Sequence, residues 1–351
     1  MTHRPSPWQL AVVPYTLELR QRFTLANSSR TTTPTLLVAL RRDGICGYGE
    51  AAMPPYLGET QAGAAAFLTS LDLRSFDDPF ATAALLAAVD RHAPGQPAAK
   101  AAFDLALHDW LGKRLGQPWH RLLGLDRATT PPTSYTIGIH PPDVARELAA
   151  AMHGRFRSFK IKLGGPTDRA MVEAIRAATD TPLRVDVNQG WIDREAALRE
   201  VEWLAARGVQ FVEQPMPKER LDDLAWLTRH SPLPILADEG CQRLADLRRI
   251  PGVYHGIVVK LMKATGLREA RTMLETARAL GLSTMLGCMT ETSCAIAAAT
   301  QLAPLADWVD LDGALLVAND PFVGPVLQDG VVAATDGPGI GAAPVADLFA
   351  G

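Results

Sequence analysis

After Pro131-Pro132 the chain alternates short strand-like runs with helix-like runs, and this repeat constrains its fold more than any other feature. The strand-like runs are Ser134-Tyr-Thr-Ile-Gly138, Phe159-Lys-Ile-Lys-Leu163, Leu183-Arg-Val-Asp-Val-Asn188, Phe211-Val-Glu-Gln-Pro215, Ile235-Leu-Ala-Asp-Glu239, Ile257-Val-Val-Lys-Leu261, Thr284-Met-Leu-Gly-Cys288 and Trp308-Val-Asp-Leu-Asp-Gly313. They recur about every 25 residues, the length of a β-then-α unit that builds a parallel sheet. Between them, 194–207, 221–230 and 267–280 carry Leu, Ala and Trp at helical spacing with charges opposite. Eight such units predict an α/β fold closed as a (β/α)8 TIM-type barrel over 126–320; an open doubly wound sheet is the competing arrangement.

Residues 1–125 follow a different pattern. Strand-like stretches at 8–20 and 35–42 precede an Asp43-Gly44 hairpin signal and Gly47-Tyr-Gly-Glu-Ala51, and from Thr60 to about Leu123 the pattern is helical, with breaks near Asp77-Asp-Pro79 and Ala93-Pro-Gly95. This predicts a small α+β domain. Thr24 to Pro34 and Met53 to Thr60 are expected as mobile loops. The segment 321–351 lacks a barrel pattern and is expected to return and pack on the first domain.

The composition excludes several classes. A 47 % apolar content argues against disorder, and a net charge of -3 without a long Lys/Arg run gives no reason to expect nucleic acid. There is no signal-peptide layout and no apolar run near the roughly 18 residues of a membrane span. Four scattered cysteines suit a reducing compartment. A cytoplasmic protein with a small-molecule partner and no nucleic-acid or membrane partner is expected; assembly into a homo-oligomer stays open.

Active sites of such barrels lie at the strand ends. There the third, fourth and fifth strands offer Asp186 with Asn188, Glu213 with Gln214, and Asp238 with Glu239. A single strand-end Asp is more often a helix cap. One acid on each of three consecutive strands instead forms a hard-oxygen set that suits Mg2+, with Mn2+ as a substitute. Alternation puts Lys160 and Lys162 on one face of the second strand and Phe159, Ile161 and Leu163 on the other. Alone, that pattern reads as an exposed edge strand blocked by lysine; beside three acids it reads as part of a site. Burial and a cation are expected to lower the lysine pKa values. Lys260 ends the sixth strand and so faces Lys162 across the mouth. An opposed pair can remove a proton next to a carboxylate and return one to the other face, which inverts the carbon.

The set Gly47-Tyr-Gly-Glu-Ala51, Lys160-Ile-Lys162, Asp186-Val-Asn188, Glu213-Gln-Pro215, Ala237-Asp-Glu239 and Lys260-Leu-Met-Lys263 resembles the enolase superfamily, in its muconate-lactonizing-enzyme subgroup. Ser134-Tyr-Thr-Ile-Gly138, Gly287-Cys-Met-Thr-Glu291 and Asp310-Leu-Asp312 look like the dipeptide epimerases within it. The resemblance implies an N-terminal capping domain completed by the C-terminal segment, with specificity loops near 20–32 and 52–60. It implies Asp186, Glu213 and Asp238 as Mg2+ ligands and Lys162 and Lys260 as acid/base lysines. Lys160, Thr136, Cys288, Asp310 and Asp312 would bind substrate, the last two through a dipeptide's ammonium, with Asn188, Glu239 and Glu291 in support. Other reactions of the subgroup (N-acylamino acid racemisation, o-succinylbenzoate synthesis, muconate cycloisomerisation), a non-catalytic ligand-binding barrel and a Schiff-base lyase remain alternatives. Where relatives selective for a C-terminal Glu carry an arginine five residues after a Phe, this chain has Ser28, with Arg20, Arg22 and Arg30 nearby. Thr265 stands where a second glycine is common, so a reshaped loop is expected after the sixth strand.

Overall fold

The first three strands are built by apolar alternation and one tight turn. In the computed structural model, which describes residues 6–25, 28–53 and 57–349, they form an antiparallel sheet of β1 (Gln9–Leu25), β2 (Ser28–Arg42) and β3 (Ile45–Ala52). Asp43 and Gly44 join β2 to β3 with φ of 50° and 74°, the left-handed pair a two-residue hairpin requires. Helices α1 (Gln61–Thr69), α2 (Thr82–His92) and α3 (Pro97–Leu115) follow. Helix α3 lies so close under β3 that a Cβ on Gly47 or Gly49 would overlap the carbonyl oxygens of Ala106 and Ala102. That contact is why the Gly47-Tyr-Gly49 spacing exists.

The described residues of the stretch Thr24 to Pro34 are strand, not loop. β1 and β2 stay paired out to Leu25 opposite Ser28, with a register shift between Glu18 and Phe23. Thr-rich sequence is a good strand former once its backbone finds a partner. Beyond the shift the hairpin reaches the barrel, where Ile139 N donates to Thr24 O (3.0 Å) and Ala318 N to Glu18 O (2.8 Å). In the second expected loop, residues 54–56 lie outside the described residues, as do 26–27 in the first.

A single-turn α4 (Trp119–Leu122) leads to the parallel strands β4 (Tyr135–Ile137), β5 (Phe159–Lys162), β6 (Leu183–Asp186), β7 (Val209–Glu213), β8 (Ile235–Ala237), β9 (Gly256–Lys260), β10 (Ser283–Gly287) and β11 (Trp308–Asp310). They pair in chain order, and a parallel bridge between Thr133 and Val309 joins the last to the first. The ring excludes the doubly wound alternative. Helices α5 (Pro142–Met152), α6 (Asp168–Ala178), α7 (Arg194–Ala205), α8 (Leu221–His230), α9 (Leu267–Ala279) and α10 (Ser293–Thr300) cover it outside. After β8 a 3-10 turn, Leu244–Arg249, replaces the helix.

The C-terminal segment returns to the first domain. Gly339 N donates to Gln117 O (3.1 Å), Ile340 N to Asp109 Oδ1 (3.0 Å), and the Phe322 and Phe349 rings pack on Tyr48. Among the described residues no helix is long and apolar enough to cross a membrane.

Candidate active site

The site follows from strand parity. Phe159 and Ile161 face the outer helices, so Lys160 and Lys162 must point into the barrel, and both are buried. Asp186 and Glu213 sit opposite each other in the β6–β7 register, and Asp238 follows β8. One oxygen from each of Asp186, Glu213 and Asp238 lies within 4.8 Å of the others, the one such acidic group among the described residues. The lysines meet this triad from two sides. Lys162 Nζ is 2.6 Å from Asp186 Oδ2, and Lys260 Nζ is 2.7 Å from Asp238 Oδ2. Lys160 lies between, 2.7 Å from Glu213, 2.9 Å from Asp310 and 3.3 Å from Asp186.

These pairings set the charge states. Burial alone would raise Asp186, but Lys162 and Lys160 outweigh it and hold this acid well below the carboxylate range. Asp238 is likewise pushed up by burial and pulled further down by Lys260 and Lys263. Glu213 goes the other way, raised by burial and by Asp186 beside it. At Lys160 the protein's own groups act in opposite directions. Burial does favour its neutral form, yet Asp310, Glu213 and Asp186 overcome that and raise its pKa. With these carboxylates around it, Lys160 adds positive charge to the site.

Three buried carboxylates on rigid strand ends fit a hard divalent cation such as Mg2+ or Mn2+. The fit rests on Glu213, whose two oxygens are buried and accept no well-aligned hydrogen bond despite the nearby Lys160. Asp186, Glu213 and Asp238 would hold the ion.

Lys160, Lys162, Lys260, Asn188, Cys288, Asp310 and Asp312 line one small cavity together with Phe23, Arg30, Thr136 and Leu316. Through Phe23, Thr136 and Leu316 it adjoins a larger cavity of about 530 Å³ with Arg20, Arg22, His140 and Arg155 on its walls. Asp310 accepts from Ser134 Oγ (2.6 Å) as well as Lys160, so it does not cap the following loop. Asp312 accepts from Thr136 N (2.6 Å) and Thr136 Oγ1 (3.2 Å), and burial followed by the Asp310 charge pushes it up to about 7. Thr136 thus aims Asp312. Burial, with Glu291, Asp310 and Asp312, raises the Cys288 thiol well above its ordinary range and favours its protonated form.

The three supporting residues separate. Asn188 N donates to Asp186 Oδ1 (2.9 Å). Glu239 is buried beside Asp238 and is raised to about 7 by burial and then by Asp238, but it lines a different cavity. Glu291 is buried, precedes the α10 cap Thr292 rather than starting the helix, and has one oxygen without a hydrogen bond. Gln214 and Lys263, which had no predicted role, also belong here, as does Arg30, one of the three arginines expected as substitutes for the one missing at Ser28. Gln214 Oε1 accepts from Asp238 N (3.0 Å) and Gly240 N (2.9 Å); Arg30 stands over the Phe23 ring and donates to Thr290 Oγ1 (3.2 Å); Lys263 bonds Asp238 from behind. The Lys260-x-x-Lys263 spacing was the available signal for the last.

Residues 9–124 match the mandelate racemase / muconate lactonizing enzyme N-terminal domain, and 143–348 match the enolase C-terminal domain-like family. The chain is 51 % identical to the L-Ala-D/L-Glu epimerase of Bacteroides thetaiotaomicron, covering 95 % of this chain and 87 % of that one. Its structure resembles the Enterococcus faecalis dipeptide epimerase solved with Mg and the dipeptide L-Leu-L-Tyr, at 30 % identity and a TM-score of 0.89 over 97 % of this chain and 99 % of that one. It is equally close in fold to a Pseudomonas fluorescens muconate lactonizing enzyme solved with muconolactone (29 % identity, TM-score 0.89, 97 % of each chain). With both domains matched and the triad flanked by lysines, the chain belongs to the mandelate racemase / muconate lactonizing enzyme family of the enolase superfamily.

Proposed function

We propose that this protein is a cytoplasmic, Mg2+-dependent dipeptide epimerase that inverts the α-carbon of the C-terminal residue. The observation that carries the reading is the placement of Lys162 and Lys260. They end β5 and β9, four strands apart in an eight-strand ring, flank the acidic triad and line one cavity whose wall also holds Asp310 and Asp312. Fold likeness does not choose between lactonization and epimerisation; the acid pair supports epimerisation. Asp310 is already paired with Lys160 and Ser134, so Asp312, aimed by Thr136, is the group to take a substrate ammonium, which would hold it ionised.

Bound at Asp186, Glu213 and Asp238, Mg2+ would supply positive charge for an enediolate. Lys160, held cationic, adds charge near the substrate carboxylate. One of Lys162 and Lys260 removes the α-proton from one face while the other, protonated, delivers a proton to the opposite face. The product is the epimer, with one proton exchanged and no other bond changed. Arg30 beside Phe23 offers a cation where Ser28 does not, which suits an acidic side chain.

A library of L,L-dipeptides incubated in D2O with Mg2+ and read by mass spectrometry tests this. Alpha-deuterium and the epimer should appear, strongest for Ala-Glu, and EDTA should abolish both. No exchange across the library would sink the proposal. Full activity in Asp312→Asn would favour substrates that lack an ammonium.

A further inference from the structure

Lys263 lies one helical turn beyond Lys260, where the N–H groups of Lys263 and Ala264 both donate to Lys260 O at 3.0 Å. That turn sends its side chain back beneath the barrel mouth, with 1 % of its surface exposed. The ammonium donates to Asp238 Oδ1, to Asp238 O (2.7 Å), to Val258 O (3.1 Å) and to Cys241 O (3.2 Å). Among the described residues Asp238 is its one anionic partner.

The two oxygens of Asp238 therefore have different neighbours. Oδ1 is held by Lys263, while Oδ2 meets Lys260. Lys260 lines the candidate substrate cavity and Lys263 does not. From this geometry we propose that Lys263 is a positioning residue for the metal. It grips Asp238 on the side away from substrate, fixes the carboxylate plane, and leaves Oδ2 as the oxygen presented to the cation. The inference rests on the metal reading of the three acids, not on which molecule is epimerised. Groups that orient a metal ligand from behind typically change affinity or activity by about 10–100-fold when removed. The competing role is purely structural: a staple through the three carbonyls that ties β8, β9 and the loop between them.

Mg2+ titrated calorimetrically into the metal-stripped full-length protein separates the two. Lys263→Met, at a temperature where circular dichroism shows it folded, should bind Mg2+ about 10–100-fold more weakly than the wild type. A folded variant with the wild-type Kd would overturn the proposal and leave Lys263 as a staple. If Lys263→Met does not fold, Asp238→Asn/Lys263→Met decides. Recovery of the fold means the loss ran through the abandoned Asp238 charge and supports the proposal; continued unfolding assigns Lys263 to the carbonyls and overturns it. A wild-type protein that binds neither Mg2+ nor Mn2+ overturns the metal reading, and this inference with it.

Discussion

Two layers of the barrel interior come from the same strands and have opposite chemistry. Phe211, Leu236, Val258 and Met285 pack with Trp308 into an apolar plug. Two residues further along each strand stand Glu213, Asp238, Lys260, Gly287 and Asp310. A step of two keeps a side chain inside and moves it about 7 Å toward the mouth. The lower layer is held by packing, which tolerates rotation but not loss of volume. The upper layer is held by charge pairing, which tolerates loss of volume but not loss of a partner. Stability and activity should therefore respond separately.

The largest separation is expected at Lys162. Lys162→Ala should lower epimerisation by about 10⁴-fold, the upper range for a proton-transfer group, while retaining one-sided α-proton exchange through Lys260. Exchange from both epimers of the substrate in that variant would break the two-base assignment. Phe211→Ala should do the reverse, lowering unfolding free energy by about 3–5 kcal/mol in urea with kcat/KM of the folded fraction unchanged. A parallel fall in kcat/KM would mean that the plug also sets the geometry of the acids above it.

Glu50 sharpens the comparison, being a buried acid outside both layers with no ion-pair partner among the described residues. It accepts from Thr292 N and Thr35 Oγ1, and burial pushes it up to about 7 despite those bonds. Its pKa is raised on folding, so its contribution to stability is complete below about 4.5 and is lost as pH rises through about 7. Unfolding free energy in urea should fall between pH 5 and 8, with Glu50 contributing of order 1 kcal/mol per pH unit alongside Glu239 and Asp312, and Glu50→Gln should make the fall shallower by that share. An unchanged slope in that variant would place the titration elsewhere.

The smallest effect is expected at Thr265, which sits at φ 53° in the turn after β9. The loop keeps the left-handed conformation a glycine would adopt, and a β-branched residue there is strained by about 1–2 kcal/mol. Allowing for the looser unfolded chain, Thr265→Gly should raise stability by up to about 1 kcal/mol without altering kcat. Destabilisation would show that the weak Thr265–Glu269 bond (3.4 Å) matters more than the backbone.

The sequence by itself determined the barrel, the order of its strands and the residues at their ends. Parity and repeat length are local properties, so they put Lys160 and Lys162 on one face and Asp186, Glu213 and Lys260 at strand ends, and the acids on consecutive strands turned the lysine pair from an exposed edge into part of a site. It also marked Gly47 and Gly49, although the reason, the approach of α3, needed the fold. Only the tertiary structure decided what depends on a distant partner. The Thr24–Pro34 stretch is polar in sequence and becomes strand because β1 and β2 lie alongside. Lys160 is raised rather than lowered because Asp310, 150 positions away in sequence, joins Glu213 and Asp186 around it. Lys263 was legible only as a member of the Lys260-Leu-Met-Lys263 motif, without a role, until the turn folded it back onto Asp238. Short-range pattern fixes which side of a strand a group faces, whereas its charge and task depend on the field of whatever folds against it.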